Sequence, residues 1–229
     1  MVEQPNVILD LCGGTGAWSR PWRDAGYDVQ VITLPAYNVF KTYMAADWIM
    51  FIGNGGGAKP AIISYHTIYG ILAAPPCTEF SLAKTSQPRD FAKGMQTVAA
   101  CLRIIWVARE HHKLAFWALE NPKGLLRQFL GKPAYTFEQW QFGGNQTKAT
   151  DIWGYFTPPP PTVRKRPKLD TITYPNGRKN ARCWSKVDYP AEYEGYMSQF
   201  NYTDKRASAR AITPSGFAEA FYKANKRRG

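Results

Sequence analysis

Residues 7–16 read VILDLCGGTG, a short apolar run that ends in a glycine-rich turn. A brief apolar run bounded by turn residues is typical of a buried strand. A helix-like stretch follows from Ala17 to Ala25, and Val29 to Leu34 is strand-like again. A strand, a turn, a helix and a strand in this order predict the first unit of a parallel α/β sheet.

The same alternation continues through the first two thirds of the chain. Further strands are predicted at residues 69–73 and 116–119 and around Trp140 and Trp153. Helices are predicted at residues 91–110, 125–130 and 215–226, the first from apolar residues spaced three and four apart. Residues 54–59 are mostly glycine and are expected to form a loop. The pattern predicts an α/β fold with a mainly parallel sheet flanked by helices.

Four consecutive prolines, Pro158 to Pro161, mark a boundary because proline cannot continue a sheet. Beyond them, to about Ala207, the chain is polar, basic and aromatic without clear periodicity. We therefore expect a core of residues 1–157, a loop-rich appendage of residues 158–206, and a C-terminal helix within residues 207–229 that returns to the core.

The charge is distributed unevenly along the chain. Lysine and arginine number 29 against 17 acidic residues, a formal net charge of +12. Residues 1–156 contain 14 basic and 11 acidic residues, whereas residues 157–229 contain 15 and 6. A basic surface with interleaved aromatic residues favours binding to the phosphates of a nucleic acid. A solvated face that only provides solubility is the alternative.

The four cysteines, Cys12, Cys77, Cys101 and Cys183, are widely spaced and form no CxxC pair. This spacing argues against a structural zinc site and a disulfide scaffold, so no metal is expected. The first residues lack a basic segment followed by an apolar one, and no apolar run approaches the length of a membrane span. We expect a monomeric cytoplasmic protein without a membrane partner.

The glycine turn after the first strand predicts a ligand site. Glycines let the backbone approach a ligand closely, and a following helix offers unpaired N–H groups. NAD, FAD and S-adenosylmethionine all bind at such turns, and a tight structural turn has the same pattern. Asp10 at the strand end suits a positively charged methionine moiety better than a pyrophosphate, which it would repel.

Two further strand ends carry reactive side chains. Cys77 follows Pro75 and Pro76 after one predicted strand, and Glu120 follows another. Ligands bind at the carboxyl edge of an open α/β sheet, so both groups should meet there. A thiolate can attack an electron-poor ring carbon while an acid protonates a ring nitrogen. A structural cysteine and a helix-capping glutamate are the alternatives, and Phe80 suits either the loop or the core.

Taken together, residues 10–16, the Pro-Pro-Cys-Thr-Glu-Phe-Ser segment 75–81, Glu-Asn-Pro 120–122 and Ile-Thr-Pro 212–214 resemble the DNA cytosine-C5 methyltransferase family, most of all its compact phage-type members. The order of these motifs along the chain is the family's order. The resemblance implies a Rossmann-like class I S-adenosylmethionine-dependent methyltransferase fold. It also implies that Cys77 attacks C6 of a flipped-out cytosine while Glu120 protonates N3, so that C5 accepts a methyl group.

The resemblance and the basic pattern assign three groups of residues. The predicted catalytic residues are Cys77, Glu120 and Lys148. The predicted residues for S-adenosylmethionine are Asp10, Leu11, Cys12, Gly13, Gly14, Thr15, Gly16, Trp18, Thr33, Leu34, Pro75 and Thr213. The predicted residues for nucleic acid are Ser81, Asn121, Arg164, Lys165, Arg166, Arg178, Lys179, Arg182 and Lys186.

Three departures from the family pattern are visible. The region after the second strand, residues 31–38, holds no carboxylate for the ribose hydroxyls, which leaves open a modified cofactor and a transferred group other than methyl. Asp47 is the nearest candidate for a further acidic position. Lys148 stands where the family has an arginine, and it is a point charge rather than a planar fork. The short appendage predicts short or relaxed sequence specificity.

Three other functions remain compatible with the sequence. A nucleic-acid-binding protein without activity would explain the missing carboxylate. The same chemistry on RNA would use the same motifs. A nicotinamide-dependent oxidoreductase would explain the glycine turn and would leave Cys77 and Glu120 without a role.

Overall fold

The computed structural model describes residues 5–54, 57–84, 87–144, 147–168, 171–173, 175–177, 179–181 and 189–227. The strands in these ranges are β1 (Val7–Leu11), β2 (Asp28–Ile32), β3 (Tyr37–Met44), β4 (Trp48–Gly53), β5 (Ala61–Ser64), β6 (Ile68–Ala73), β7 (Phe116–Pro122), β8 (Tyr135–Glu138), β9 (Ala149–Tyr155), β10 (Thr171–Thr173) and β11 (Lys179–Ala181). The helices are α1 (Arg20–Asp24), α2 (Phe91–His111), α3 (Arg127–Leu130), α4 (Glu194–Met197), α5 (Tyr202–Ala211) and α6 (Ser215–Asn225).

The central sheet has six strands in the order β2-β1-β6-β7-β9-β8. Pairing is parallel from β2 through β7, whereas β9 is antiparallel to both β7 and β8. Strand β8 therefore runs in the same direction as β7, and β9 alone opposes the rest of this sheet. The prediction of an α/β fold with a mainly parallel sheet is confirmed.

Alternate side chains of the strands face two helical layers, as the two-residue period of a strand requires. Helix α2 covers one face, where the buried side chains are Leu9, Ile71, Leu119, Val98, Cys101 and Ile105. Helices α1 and α6 cover the other face, where the buried side chains are Ile8, Leu72, Ala118, Trp22, Phe217 and Phe221. Both faces of the parallel strands are thus buried, which explains their continuous apolar sequences.

The region between β2 and β6 forms a separate three-stranded antiparallel sheet, β3-β4-β5, that the sequence reading did not predict. Ile49 and Phe51 of β4 face the main core and are fully buried. Tyr43 and Ile62 on the outer face are exposed. Because both faces carry apolar residues, the alternation that signals a half-buried strand is absent here. The glycine-rich loop at 54–59 connects β4 to β5, and its described residues lie outside any strand or helix.

Three predicted elements need correction. The first helix begins at Arg20 rather than Ala17, because Pro21 is tolerated only in a first helical turn. Trp140 lies in a short 3-10 helix, and the strand comes just before it at Tyr135–Glu138. The appendage contains a hairpin, β10-β11, and two helices; the second of these, α5, runs across the boundary predicted at residue 206.

The C-terminal helix is fixed to the core by polar contacts as well as by its aromatic side chains. The Asn225 side chain accepts a hydrogen bond from the Thr157 amide at 2.7 Å and donates one to its carbonyl oxygen at 3.0 Å. The Tyr69 hydroxyl donates to the Asn225 carbonyl oxygen at 2.9 Å. The chain therefore returns to the central sheet directly beside the point where β9 leads into the proline run.

Helix α2 is the one helix among the described residues with the length and apolar composition of a membrane span. Its apolar side packs on the central sheet through Val98, Cys101 and Ile105, while the exposed Arg109 lies over the exposed Trp106 ring. Core helices of α/β domains have the same composition, so this helix is weak evidence for a membrane.

Substitution of Gly154 tests how closely β9 packs against β7. Its φ is +145°, and an added Cβ would lie 2.1 Å from the Trp117 carbonyl oxygen. Gly26 has a φ of +86°, but an added Cβ there meets nothing within 4 Å. We expect Gly26→Ala to cost about 1–2 kcal/mol from backbone strain, and Gly154→Ala to cost at least about 2 kcal/mol more from the added clash. Urea unfolding followed by circular dichroism measures both; equal losses would contradict the tight fit.

Candidate active site

The candidate site lies where three neighbouring parallel strands end. Leu11 of β1 pairs with Ala73 of β6, and Ala73 pairs with Leu119 of β7. The glycine turn, the Pro-Pro-Cys loop and Glu120 therefore begin at the same level along one sheet edge. The Ala74 amide donates to the Leu11 carbonyl oxygen at 2.9 Å and joins the first two of these segments directly.

The glycine turn needs residues that adopt left-handed backbone conformations. Gly14 and Gly16 have φ values of +56° and +72°, and the Gly16 amide donates to the Gly13 carbonyl oxygen at 2.9 Å. Cys12 has a φ of +57°, which is uncommon for a residue other than glycine. The left-handed conformation costs free energy in a residue other than glycine, and strained residues of this kind cluster at functional sites.

Asp10 is fully buried beneath this turn. The Ser19 hydroxyl donates to Oδ2 of Asp10 at 2.6 Å, and a Cβ on Gly13 would lie 2.3 Å from Oδ1. Oδ1 has no hydrogen-bond partner within the described ranges. Burial raises the pKa of Asp10 to about 6, against the opposing effects of the Ser19 hydrogen bond and the nearby charge of Arg23. A buried carboxylate oxygen without a partner suits a cationic or N–H-donating ligand group at the turn.

Hydrogen bonds fix the Cys77 loop both before and after the cysteine. Asn121 of β7 donates from Nδ2 to the Pro75 carbonyl oxygen at 3.0 Å. The amides of Phe80 and Ser81 both donate to the Cys77 carbonyl oxygen, at 3.0 and 2.8 Å. The Phe80 ring is fully buried against Phe91 and Phe129, so it anchors the loop as a core residue.

A second set of polar contacts orders the part of the loop beyond Cys77. Lys84 Nζ lies 2.6 Å from Glu79 Oε2, and the Asp90 amide donates to the same oxygen at 2.8 Å. Arg89 donates to the carbonyl oxygens of Glu79 and Lys84 at 2.8 and 2.7 Å. These contacts connect the loop to the start of α2, which gives the thiol a fixed support.

Cys77, Glu120 and Lys148 lie close enough for each charge to affect another's ionisation. Burial raises the pKa of Cys77; the Lys148 ammonium opposes this shift, and the Glu120 carboxylate adds to it. Burial also raises the pKa of Glu120, again opposed by Lys148 and reinforced by Asp151. The structure thus brings together the three residues predicted to be catalytic.

Arg127 and Asp151 form an ion pair behind this site that the sequence reading did not identify. Asp151 of β9 is fully buried, and its two carboxylate oxygens accept from Arg127 Nε and Nη2 at 2.6 and 2.5 Å. The Thr136 hydroxyl donates to Asp151 at 2.7 Å. Asp151 and Arg127 are 24 residues apart in the chain, so the pair forms only when β9 packs beside β7 and β8 and α3 lies against it.

Lys148 is held in place from the C-terminal part of the chain. Its Nζ donates to the Arg210 carbonyl oxygen in α5 at 3.0 Å. This contact fixes the position of the Lys148 side chain near Cys77 and Glu120. Helix α5 therefore orients a residue of the candidate site, although its first half lies in the segment predicted to be a loop-rich appendage.

Three residues predicted to contact a ligand have buried side chains, and their predicted contacts stay predictions. Leu11 is fully buried in the core, and Trp18 is 2% exposed and packs on Phe217 and Phe221. Asn121 is fully buried, and its side chain donates to the Pro75 carbonyl oxygen. Leu11 and Asn121 are buried because they belong to the central strands β1 and β7, whereas Trp18 is buried by its contact with α6.

Other assigned residues lie in varied surroundings. Asp47 is exposed in the turn between β3 and β4, outside the central sheet. Ser81 accepts a hydrogen bond from the Ala83 amide at 3.2 Å, Leu34 is exposed, and Thr213 precedes α6. The contacts proposed for the last three with a ligand stay predictions.

The basic residues of the appendage are described in part. Arg164, Lys165 and Arg166 are exposed on the segment after the proline run. This segment is tied to the core by the Thr162 and Val163 amides, which donate to the Gln141 carbonyl oxygen. Arg178, Arg182, Lys186 and the side chain of Lys179 lie outside the described residues.

No group of three or more histidine, cysteine, aspartate or glutamate side chains within the described ranges could hold a metal ion. Comparison with protein-family models and with curated proteins found no match to this chain. The functional interpretation therefore depends on the residues and their geometry.

Asp10→Asn tests the burial of this carboxyl group. The folded-state pKa of about 6 is higher than the ordinary 3.8, so the carboxylate destabilises the fold increasingly as pH rises through 6. Relative to the variant, the wild type should lose about 3 kcal/mol of unfolding free energy between pH 4 and pH 8. Urea unfolding of both proteins across this range measures the difference, and a pH-independent difference would contradict the buried, strained carboxylate.

Proposed function

We propose that this protein is a DNA cytosine-C5 methyltransferase that uses S-adenosylmethionine. The observation that carries the proposal is the meeting of the Cys77 thiol, the Glu120 carboxyl group and the Lys148 ammonium at one sheet edge. This edge also carries a glycine turn that can accept a ligand. A nucleophile, an acid and a fixed cation are the groups required to add to a pyrimidine ring and to protonate it.

The residues at the glycine turn fit a cofactor with a cationic methionine end. Asp10 has a buried carboxylate oxygen without a partner in the described part of the chain, and Gly14 and Gly16 of the turn have the left-handed backbone conformation that favours glycine. The backbone from Gly13 to Gly16, with Thr33 beside it, would hold the cofactor. When bound, S-adenosylmethionine supplies an electrophilic methyl group.

Cys77 acts as the nucleophile in this proposal. Its thiolate adds to C6 of cytosine, the S–C6 bond forms, and the C5–C6 double-bond electrons move so that C5 becomes nucleophilic. After C5 has been methylated, its proton passes to water, the S–C6 bond breaks to release the Cys77 thiolate, the ring regains its double bond and N3 returns its proton to Glu120. The rigid Pro75-Pro76 approach and the buried Phe80 ring fix the direction of the thiol.

Glu120 acts on the opposite side of the same ring. Burial raises its pKa, so the carboxyl group holds a proton more readily than an exposed glutamate would. Protonation of N3 withdraws electrons from C6 and favours attack by the thiolate. Lys148 opposes the rise that burial causes in the pKa of both groups, and so favours the thiolate form of Cys77 and the carboxylate form of Glu120.

The choice of a nucleic-acid substrate rests on charge. The chain has a net charge of +12, and Arg164, Lys165 and Arg166 are exposed on one segment. Such residues neutralise phosphates and release counterions on binding. A cytosine in a duplex cannot be reached by a thiol at a sheet edge, so the base must be flipped out of its stack.

Covalent trapping tests the proposal directly. Incubation with S-adenosylmethionine and duplex DNA containing 5-fluorocytosine should give an SDS-resistant adduct, because fluorine at C5 cannot leave as the proton does. Cys77→Ser should abolish the adduct. Cys101→Ala should retain it, since the Cys101 thiol is buried in the core. No adduct with DNA, RNA or single strands would refute the proposal, and an adduct with RNA alone would reassign the substrate.

The charges around Cys77 predict opposite effects on thiol reactivity. Lys148→Met should raise the Cys77 pKa and slow its alkylation by iodoacetamide, because the stabilising cation is lost. Glu120→Gln should lower the Cys77 pKa and speed alkylation, although methyl transfer should be lost. Lys148→Arg keeps the charge and serves as the control.

Alkylation rates measured from pH 6 to pH 10, with Cys77→Ser as the blank, give the pKa of each variant. An unchanged Cys77 pKa in Lys148→Met would show that the two groups do not meet in solution.

A further inference from the structure

The segment around α4 packs against the glycine turn, far from it in sequence. Arg20, the first residue of α1, forms an ion pair with Glu192 and a hydrogen bond with Tyr193. Met197 at the end of α4 is fully buried. The segment is therefore held against the core on two sides, although it belongs to the part of the chain expected to be a loop-rich appendage.

Tyr196 of α4 reaches the turn itself. A Cβ on Gly14 would lie 3.4 Å from the Tyr196 hydroxyl oxygen and 3.8 Å from its Cζ, so the phenol lies directly on the Gly14 backbone. The Gly14 amide donates to Thr33 Oγ1 at 3.3 Å, and the Tyr196 hydroxyl also interacts with the Thr33 side chain. Gly14, Thr33 and Tyr196 thus form one polar cluster.

This cluster lies at the carboxyl ends of β1 and β2. Gly14 is in the turn after β1, and Thr33 is the first residue after β2. The stretch after β2 reads Thr33-Leu34-Pro35-Ala36 and contains no carboxylate, so two uncharged hydroxyl groups are the polar side chains at this position. Ligands of open α/β sheets bind along this edge.

We propose that Tyr196 is a further cofactor-binding residue, whose hydroxyl group together with Thr33 recognises a ribose hydroxyl of the adenosyl cofactor. The inference rests on the proposed function and identifies the part of the cofactor that Tyr196 and Thr33 contact. Hydroxyl groups both donate and accept hydrogen bonds, so a tyrosine and a threonine can satisfy a ribose hydroxyl without a carboxylate. Burial raises the pKa of Tyr196 and keeps its hydroxyl protonated, and so a donor, at neutral pH.

Because Tyr196 lies on α4, its contact with Gly14 and Thr33 depends on how α4 is positioned. The glycine turn, the residue after β2 and α4 thus meet at one polar cluster. The Arg20–Glu192 pair positions the segment without touching the Gly14–Thr33–Tyr196 cluster. A change at Tyr196 should therefore affect cofactor binding, while a change at Tyr193 should not.

The test compares Tyr196→Phe with wild type in calorimetric binding of S-adenosylhomocysteine and its 2′-deoxy and 3′-deoxy analogues. Tyr193→Phe is the matched control, since it removes a hydroxyl group from the same segment that contacts Arg20 instead. Loss of one hydrogen bond should weaken S-adenosylhomocysteine binding to Tyr196→Phe about three- to tenfold. For one of the two deoxy analogues, the variant and the wild type should bind equally, because the partner hydroxyl group is already absent.

Three results would overturn the inference. Unchanged or tighter binding of S-adenosylhomocysteine by Tyr196→Phe would show that the hydroxyl group makes no such contact. An equal loss for all three ligands would show that Tyr196 only supports the turn. If wild type bound none of the three ligands, the proposed function would fail and this inference with it, whereas the first two results leave the proposed function intact.

Discussion

The parallel pairing of β6 with both β1 and β7 is the constraint on which the candidate site depends. Each of these strands contributes one part of the candidate site: β1 leads into the glycine turn, β6 leads into the Pro-Pro-Cys loop, and β7 carries Glu120 near its end. Parallel strands place their carboxyl ends at one edge, so residues about 110 positions apart in the chain become neighbours. The Asn121–Pro75 and Ala74–Leu11 hydrogen bonds then fix the three segments to each other.

Burial sets the chemistry at this edge. The same physical cause, removal from water, raises the pKa of Asp10, Cys77 and Glu120 and disfavours their charged forms. Two cations limit this cost: Lys148 at Cys77 and Glu120, and Arg23 at Asp10.

The C-terminal part of the chain completes the core and the site. Helix α6 covers one face of the sheet with Phe217 and Phe221, α5 supplies the acceptor that holds Lys148, and α4 places Tyr196 on the glycine turn. Periodicity predicted α6 because its apolar face packs on a core. It did not predict α4 or α5, because short polar helices that are stabilised by contacts distant in sequence carry little amphipathic signal.

The sequence by itself determined the α/β class, the strands that lead into the glycine turn and the Pro-Pro-Cys loop, and the strand at residues 116–119, because buried strands and glycine turns have strong local patterns. Tertiary structure alone decided that Leu11, Trp18 and Asn121 face inward, that residues 37–64 form a second sheet, and that Arg127, Asp151 and Tyr196 join the site. These outcomes depend on contacts between residues that are far apart in the chain. No local pattern encodes such contacts, since burial and pairing arise only when the layers pack together.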